Sequence, residues 1–302
     1  MPATMRNDGS DSEPSSSDPE GQRASASVPT VATKLRVPPI PRHLVTRKRL
    51  LDVLDRGLGG RVVLLSAPAG AGKTALLASW IRTRHLPGTP CWLSLDVDDN
   101  DASRLIADLL SALRDCGACA PGDALGDLKA PPGARTERFL PLLVNALAEL
   151  QAPVILVLDE IHELTSPQST ATIEFLVRHA PEQLRLVLAG RADPPLPIER
   201  LRVGEELAEL RIGDLAFDRD ETAELCRELD LTLSDDDVDS LWTRTEGWVA
   251  ALRLAAFSLQ GHPEPSRFLA ELSGTDHSVA DYLVSEVLAH VAEDHREFML
   301  RT

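Results

Sequence analysis

No stretch of the sequence approaches the ~18 consecutive apolar residues that cross a bilayer. The opening residues, MPATMRNDGSDSEPSSSDPEG, are polar and acidic, unlike a secretory leader. The expectation is a cytoplasmic chain without a membrane partner. Basic residues are also in short supply: 31 Lys and Arg against 47 Asp and Glu leave a formal charge of -16 at pH 7. Charge of that sign repels a phosphate backbone, so DNA binding by this chain itself is not expected. Cysteine is scarce, with four residues at 91, 116, 119 and 226. Cys116 and Cys119 have C-x-x-C spacing, but no second ligand pair stands at zinc spacing and no thioredoxin-like context surrounds them. All four therefore read as reduced thiols.

What is present is an alternation of strand and helix signals. Residues 1–31, rich in Ser, Pro, Asp and Glu, bury too little apolar surface to offset ordering entropy and read as a disordered tail. Short apolar runs at 61–66, 91–96, 153–159 and 184–190, with one more at 207–212, predict buried strands of a parallel sheet. Between them, Phe139, Leu143, Ala146 and Leu150, and Ile173, Leu176, Val177 and Ala180, recur at helical spacing. Residues 32–213 thus read as an α/β domain with helices flanking the sheet. The alternation then stops. Asp218 with Glu221 forms a capping box, Ser234 caps a helix carrying Val238, Leu241 and Trp242, and Gly247 breaks the chain before Leu252, Ala255, Ala256 and Leu259. Residues 214–262 therefore read as a small all-helical domain, followed by the linker GHPEPSR and a further helical segment over 263–302.

The chemistry concentrates in LLSAPAGAGKTALLASW, residues 64–80. It matches the phosphate-binding pattern G-x-x-x-x-G-K-[ST], except that Ala67 stands at the first glycine. In such a loop the backbone N–H groups of Ala67, Pro68, Ala69, Gly70, Ala71, Gly72, Lys73, Thr74 and Ala75, proline excepted, surround the phosphates at a helix N-terminus. The lysine reaches the β and γ phosphates, and the threonine hydroxyl binds Mg²⁺. Ala67 can make the turn out of the strand if its φ stays negative.

A second apolar strand ends in VILVLDEIHEL, placing Asp159 to hold Mg²⁺ and Glu160 to polarise an attacking water. His162 either contacts the nucleotide or packs beneath it. Arg191, past the end of the run LRLVLAG, either senses the γ-phosphate or pairs with Asp193. The acids of DVDDND mimic an EF-hand start, but Asp101 replaces the obligatory glycine and Ala107 the bidentate glutamate, so calcium is rejected and they read as helix-start acids. Lys34, Arg36, Arg42, Arg47, Lys48 and Arg49 form a basic strip, expected to be mostly solvated.

Taken in order, TKLRVPPIPRHLVTRKRLLDVL, the phosphate loop, WLSLDVDDND, VILVLDEIHEL, LVLAGRADPPLPIERLR, ELAELRIGDLAF, TEGWVAALRLAA and DYLVSEVL resemble the N-terminal part of the large ATP-dependent LuxR-family regulators, of the STAND class of P-loop ATPases. The resemblance spans about residues 32–302. It implies ATP or ADP with Mg²⁺ as cofactors, an alanine tolerated at position 67, and adenine bordered by Leu44 to Arg49, with Val45 and Arg47 at the nucleotide. Arg191 is implied as γ-phosphate sensor, and Gly247 and Trp248 as part of a helical lid. Residues 263–302 are implied as the start of a winged-helix domain. The implied function is a slowly hydrolysing switch, closed with ADP and self-associating with ATP. A P-loop enzyme such as a small-molecule kinase, and a nucleotide-binding fragment without turnover, remain the alternatives.

Overall fold

The computed structural model describes residues 30–119, 122–130 and 136–260, with Ser266 and Leu269. The expected tail up to residue 29, and nearly all of the expected winged-helix segment, lie outside the described residues.

Five parallel strands form one sheet: β1 (Val62–Ser66), β2 (Thr89–Ser94), β3 (Val154–Asp159), β4 (Leu184–Gly190) and β5 (Leu207–Arg211). Their order is β2-β3-β4-β1-β5. Because successive side chains point to opposite faces, each apolar run feeds two cores at once. Leu64, Leu93, Leu156 and Leu186 enter one core, whereas Leu65, Trp92, Val157 and Val187 enter the other. The first core is closed by α3 (Ala102–Asp115), the one-turn α4 (Ala124–Asp127), α5 (Thr136–Ala148) and α6 (Pro167–His179). The second is closed by α1 (Lys48–Gly57) and α2 (Lys73–Thr83), which are tied by a bond from Trp80 Nε1 to Asp55 Oδ1 at 2.7 Å. The sheet register sets Ser66 beside Gly190 and Ser94 beside Asp159, so the chemical strand ends share one edge.

The strand at 91–96 is displaced from expectation. It begins at Thr89, and Asp96 leaves the ladder to cap a 3-10 turn at Val97–Asn100. The last strand ends at Arg211, where Ile212 opens α8 (Ile212–Leu215), preceded by the short α7 (Ile198–Val203).

Beyond the sheet, α9 (Arg219–Glu228), α10 (Asp235–Thr245) and α11 (Val249–Leu259) pack around Leu225, Leu241, Leu252 and Leu259. The sequence-predicted caps form: Asp218 Oδ1 accepts from Glu221 N at 2.8 Å and Ser234 Oγ from Asp237 N at 3.2 Å. This helical core is completed by Val45, far upstream, and by Leu269.

Of the basic strip, Arg36, Arg42, Lys48 and Arg49 are exposed, whereas Lys34 and Arg47 are not. Lys34 is buried, with its ammonium 2.6 Å from Asp99, 3.0 Å from Asp108 and 3.2 Å from Asp96. These are acids of the DVDDND stretch and of α3, so that segment neutralises the strip instead of only starting a helix. Asp101 keeps the expected helix-start role, accepting from Ser103 N and Arg104 N. Arg47 is buried as well, because it too finds a carboxylate in the fold.

Candidate nucleotide-binding site

The phosphate loop joins β1 to α2. Gly70 and Gly72 have φ of 71° and 84°, the left-handed region that only glycine enters without strain. Ala67 is not among the residues with positive φ; it packs in the core and donates its N–H to Gly190 O at 3.2 Å. The missing glycine is therefore unneeded at that turn. Gly72 caps α2 without a side-chain cap hydrogen bond, the kind of helix start whose N–H groups suit an anion. Lys73 lies folded against the loop, with Nζ donating to Ala67 O at 2.6 Å and Pro68 O at 3.1 Å. Burial lowers its pKa, opposed by the carboxylates of Glu160 and Asp159, while Arg191 adds to the lowering.

Thr74 donates its hydroxyl to Asp159 Oδ2 at 2.8 Å, joining the loop to the end of β3 across β4. Asp159 is 3% exposed, and burial raises its pKa despite that bond. A buried carboxylate beside a hydroxyl, with Glu160 adjoining, is an oxygen-only donor set that gains from a hard divalent cation; these residues fit Mg²⁺. Glu160 adopts φ 59°, turning sharply off the strand. Its Oε2 is shielded from solvent and accepts no hydrogen bond among the described residues, although His162 Nδ1 stands 3.3 Å away. His162 thus lies between Glu160 and Glu163. Arg191 follows the last residue of β4. Asp193 is engaged by both arms of Arg211.

Against the loop and the start of α2 lies an apolar cavity of about 220 Å³. Three segments line it: Leu44 and Val45 upstream, Gly70 and Ala75 of the loop and helix, and Phe217 and Val249 of the helical domain. Arg47 borders it, but its donors are committed to Leu215 O at 2.7 Å, Ala216 O at 2.8 Å and Glu221 Oε2 at 3.0 Å, and its guanidinium stacks on Phe217. Arg47 therefore clamps the upstream segment to the helical domain.

Gly247 and Trp248 stand at the entrance of α11. Gly247 has φ 70°, and a Cβ there would meet Phe217 O at 2.2 Å. Trp248 Nε1 donates to Ala69 O at 3.2 Å, and Ala250 N donates to Gly70 O at 3.1 Å. The helical domain is thus bonded directly to the phosphate loop. Sequence reading missed Ala250 and also Arg253, which donates to His43 O at 2.8 Å. The only signal for them was position, two and five residues after Trp248 on a predicted helix.

Parallel sheet, phosphate loop, acid-tipped strand and apolar pocket together define an α/β P-loop ATPase fold. Residues 45–188 match the AAA ATPase domain family. Over 276 residues the chain is 36% identical to the serine/threonine-protein kinase PknK of Mycobacterium tuberculosis, covering 90% of this chain and 25% of that one. It is 35% identical over 277 residues to the HTH-type transcriptional regulator MalT of Yersinia enterocolitica, covering 90% of this chain and 30% of the regulator. The chain thus spans about a quarter to a third of the length of these relatives. Among solved structures it resembles the Walker-type ATPase of Pyrococcus abyssi, with a TM-score of 0.56 at 15% identity, covering 88% of this chain and 79% of that one. Among the described residues no helix is long and apolar enough to cross a membrane.

Proposed function

We propose that the chain is the ATP-binding, slowly hydrolysing switch module of a cytoplasmic signalling regulator, in which residues 214–262 act as a lid over the nucleotide domain 32–213. The observation that carries this reading is the pair of bonds from Trp248 and Ala250 to the phosphate-loop carbonyls, beside an apolar cavity lined by both parts. A loop that rearranges around phosphate must disturb those bonds, so the lid senses nucleotide through the loop itself. Leu215 packs with the sheet and Phe217 with the helical core, which supports a boundary between them.

In this reading the adenine enters the cavity beside Leu44 and Val45. Lys73 swings from the Ala67 and Pro68 carbonyls to the phosphates, and Arg191 contacts the γ-phosphate. Thr74 and Asp159 would hold Mg²⁺, which would supply charge neutralisation on the phosphate oxygens. Glu160 accepts a hydrogen bond from the attacking water through its carboxylate. Turnover is slow, on the order of 10⁻⁴ to 10⁻² per second, as in P-loop switches without an external arginine. ATP favours self-association, and the acidic chain leaves DNA contact to other parts of the regulator. The similarity to a transcriptional regulator supports the signalling role.

The test is to denature freshly purified, undialysed protein and identify the released nucleotide by chromatography. Stoichiometric ADP is the expected result. An empty site that rapidly consumes added ATP would overturn the switch in favour of a P-loop enzyme, and an empty, inert site in favour of a passive fragment.

A further inference from the structure

Three of the four thiols, none used by the nucleotide site, gather at the opposite end of α3 from its cap. Cys91 is buried in β2, Cys116 follows the last residue of α3, and Cys119 lies three residues on. Gly117, with φ 77°, reverses the chain between them, and its N–H closes back on Arg114 O at 3.2 Å. That turn brings Cys116 Sγ and Cys119 Sγ to the same acceptor, Leu113 O, at 3.2 and 3.9 Å. The Cys91 and Cys116 thiols are close enough to influence each other's ionisation. Cys116 and Cys119 are half-buried, and Cys119 lines a cavity of about 420 Å³ with Gly117, Ala118, Asp123 and Glu149. Among the described residues no group of three or more His, Cys, Asp or Glu is arranged to hold a metal ion, so the cluster is not a zinc site.

We infer that these thiols form a peroxide-reactive modification site, with Cys116 as nucleophile and Cys119 as resolving thiol, closing an intrachain disulfide across the C-x-x-C turn. The division of roles follows from the surroundings. The neighbouring Cys91 thiol lowers the Cys116 pKa to about 7, against burial and the charge of Asp115. Cys91, beside Cys116 and enclosed by the core, is pushed well above the ordinary thiol value. It is therefore a poor second nucleophile. Cys119, raised mainly by burial but partly exposed, is the thiol that can lose its proton and move.

The steps balance. The Cys116 thiolate attacks one oxygen of a peroxide; the O–O bond breaks and the leaving oxygen takes a proton as water or alcohol, so sulfur is oxidised to a sulfenic acid as the peroxide is reduced. Cys119 thiolate then attacks the sulfenyl sulfur, an S–S bond forms and hydroxide leaves to become water.

The test uses the whole wild-type chain. A brief iodoacetamide pulse at pH values between about 5 and 9, read by peptide mass, should show Cys116 alkylated with a midpoint near 7 and roughly tenfold faster than Cys119 at neutral pH. One equivalent of hydrogen peroxide should then remove two hydrogens from the peptide holding both Cys116 and Cys119, reversibly by dithiothreitol. In Cys119→Ser the same treatment should instead leave a dimedone-reactive Cys116. The inference is overturned if Cys116 reacts no faster than Cys119, if the disulfide joins Cys91 to Cys116, or if Cys116 passes only to sulfinic acid.

Discussion

The indole Nε1 of Trp248 donates to the main-chain oxygen of Ala69 at 3.2 Å, joining residues 179 apart in sequence. The donor stands at the entrance to α11 and the acceptor inside the phosphate loop. Replacing Trp248 by Phe keeps an aromatic ring but removes the donor, while the Ala250 bond to Gly70 O is kept. Nucleotide affinity should rise about three- to tenfold, the value of one net hydrogen bond that binding no longer has to break. Titration calorimetry with ADP measures it, and an unchanged affinity would show that the contact does not couple lid and loop.

Gly247→Ala puts a methyl group 2.2 Å from Phe217 O at a backbone φ of 70°. The neighbouring strands of chain are themselves bonded, Phe217 N to Gly247 O at 2.8 Å, so neither can yield freely. A loss of about 2–4 kcal/mol is expected. Hydrogen exchange should locate it in α10 and α11 while the sheet amides stay protected.

Asp159→Asn removes a buried charge whose pKa lies above its ordinary 3.8 because of burial. The folded state holds that proton more tightly than the unfolded one. Nucleotide-free stability therefore falls as pH rises from 3.8 through the raised value, and the loss persists above it. The variant should melt higher than wild type at neutral pH without nucleotide, and lack this part of the pH slope. Its Mg²⁺-dependent stabilisation by ATP should weaken on the order of tenfold or more in apparent metal affinity. Thermal melts across pH, with and without Mg-ATP, read both effects.

Arg47→Ala strips Glu221 of a buried partner and leaves the carbonyls of Leu215 and Ala216 without a donor they now use. Arg49 still reaches Glu221 at 3.0 Å, which moderates the loss to about 2–3 kcal/mol. Arg47→Lys should recover only part of it, since a single ammonium cannot span two carbonyls and a carboxylate. Urea denaturation gives the ordering: wild type, then Lys, then Ala.

Much of the site was legible because its chemistry is local. Gly70, Gly72, Lys73 and Thr74 are contiguous, and their roles depend on backbone φ and on a helix that starts at a fixed place. The strands were legible because runs such as VILVLD bury both faces. Arg47 was misleading for the same local reason: it has no acidic neighbour in sequence, and its partner Glu221 arrives from 174 residues away. Lys34 was likewise read as solvated, although Asp99 and Asp108 enclose it.

Apolar periodicity, caps and the phosphate-loop residues by themselves determined the element types, the parallel α/β sheet and the place of the anion site, because each is settled by interactions within a few residues. Only the tertiary structure decided that β4 lies between β1 and β3, that Val45 completes the helical core, and that Trp248 and Ala250 bond to the loop. Those arrangements depend on which distant surfaces exclude water together, a choice that no short window of sequence contains.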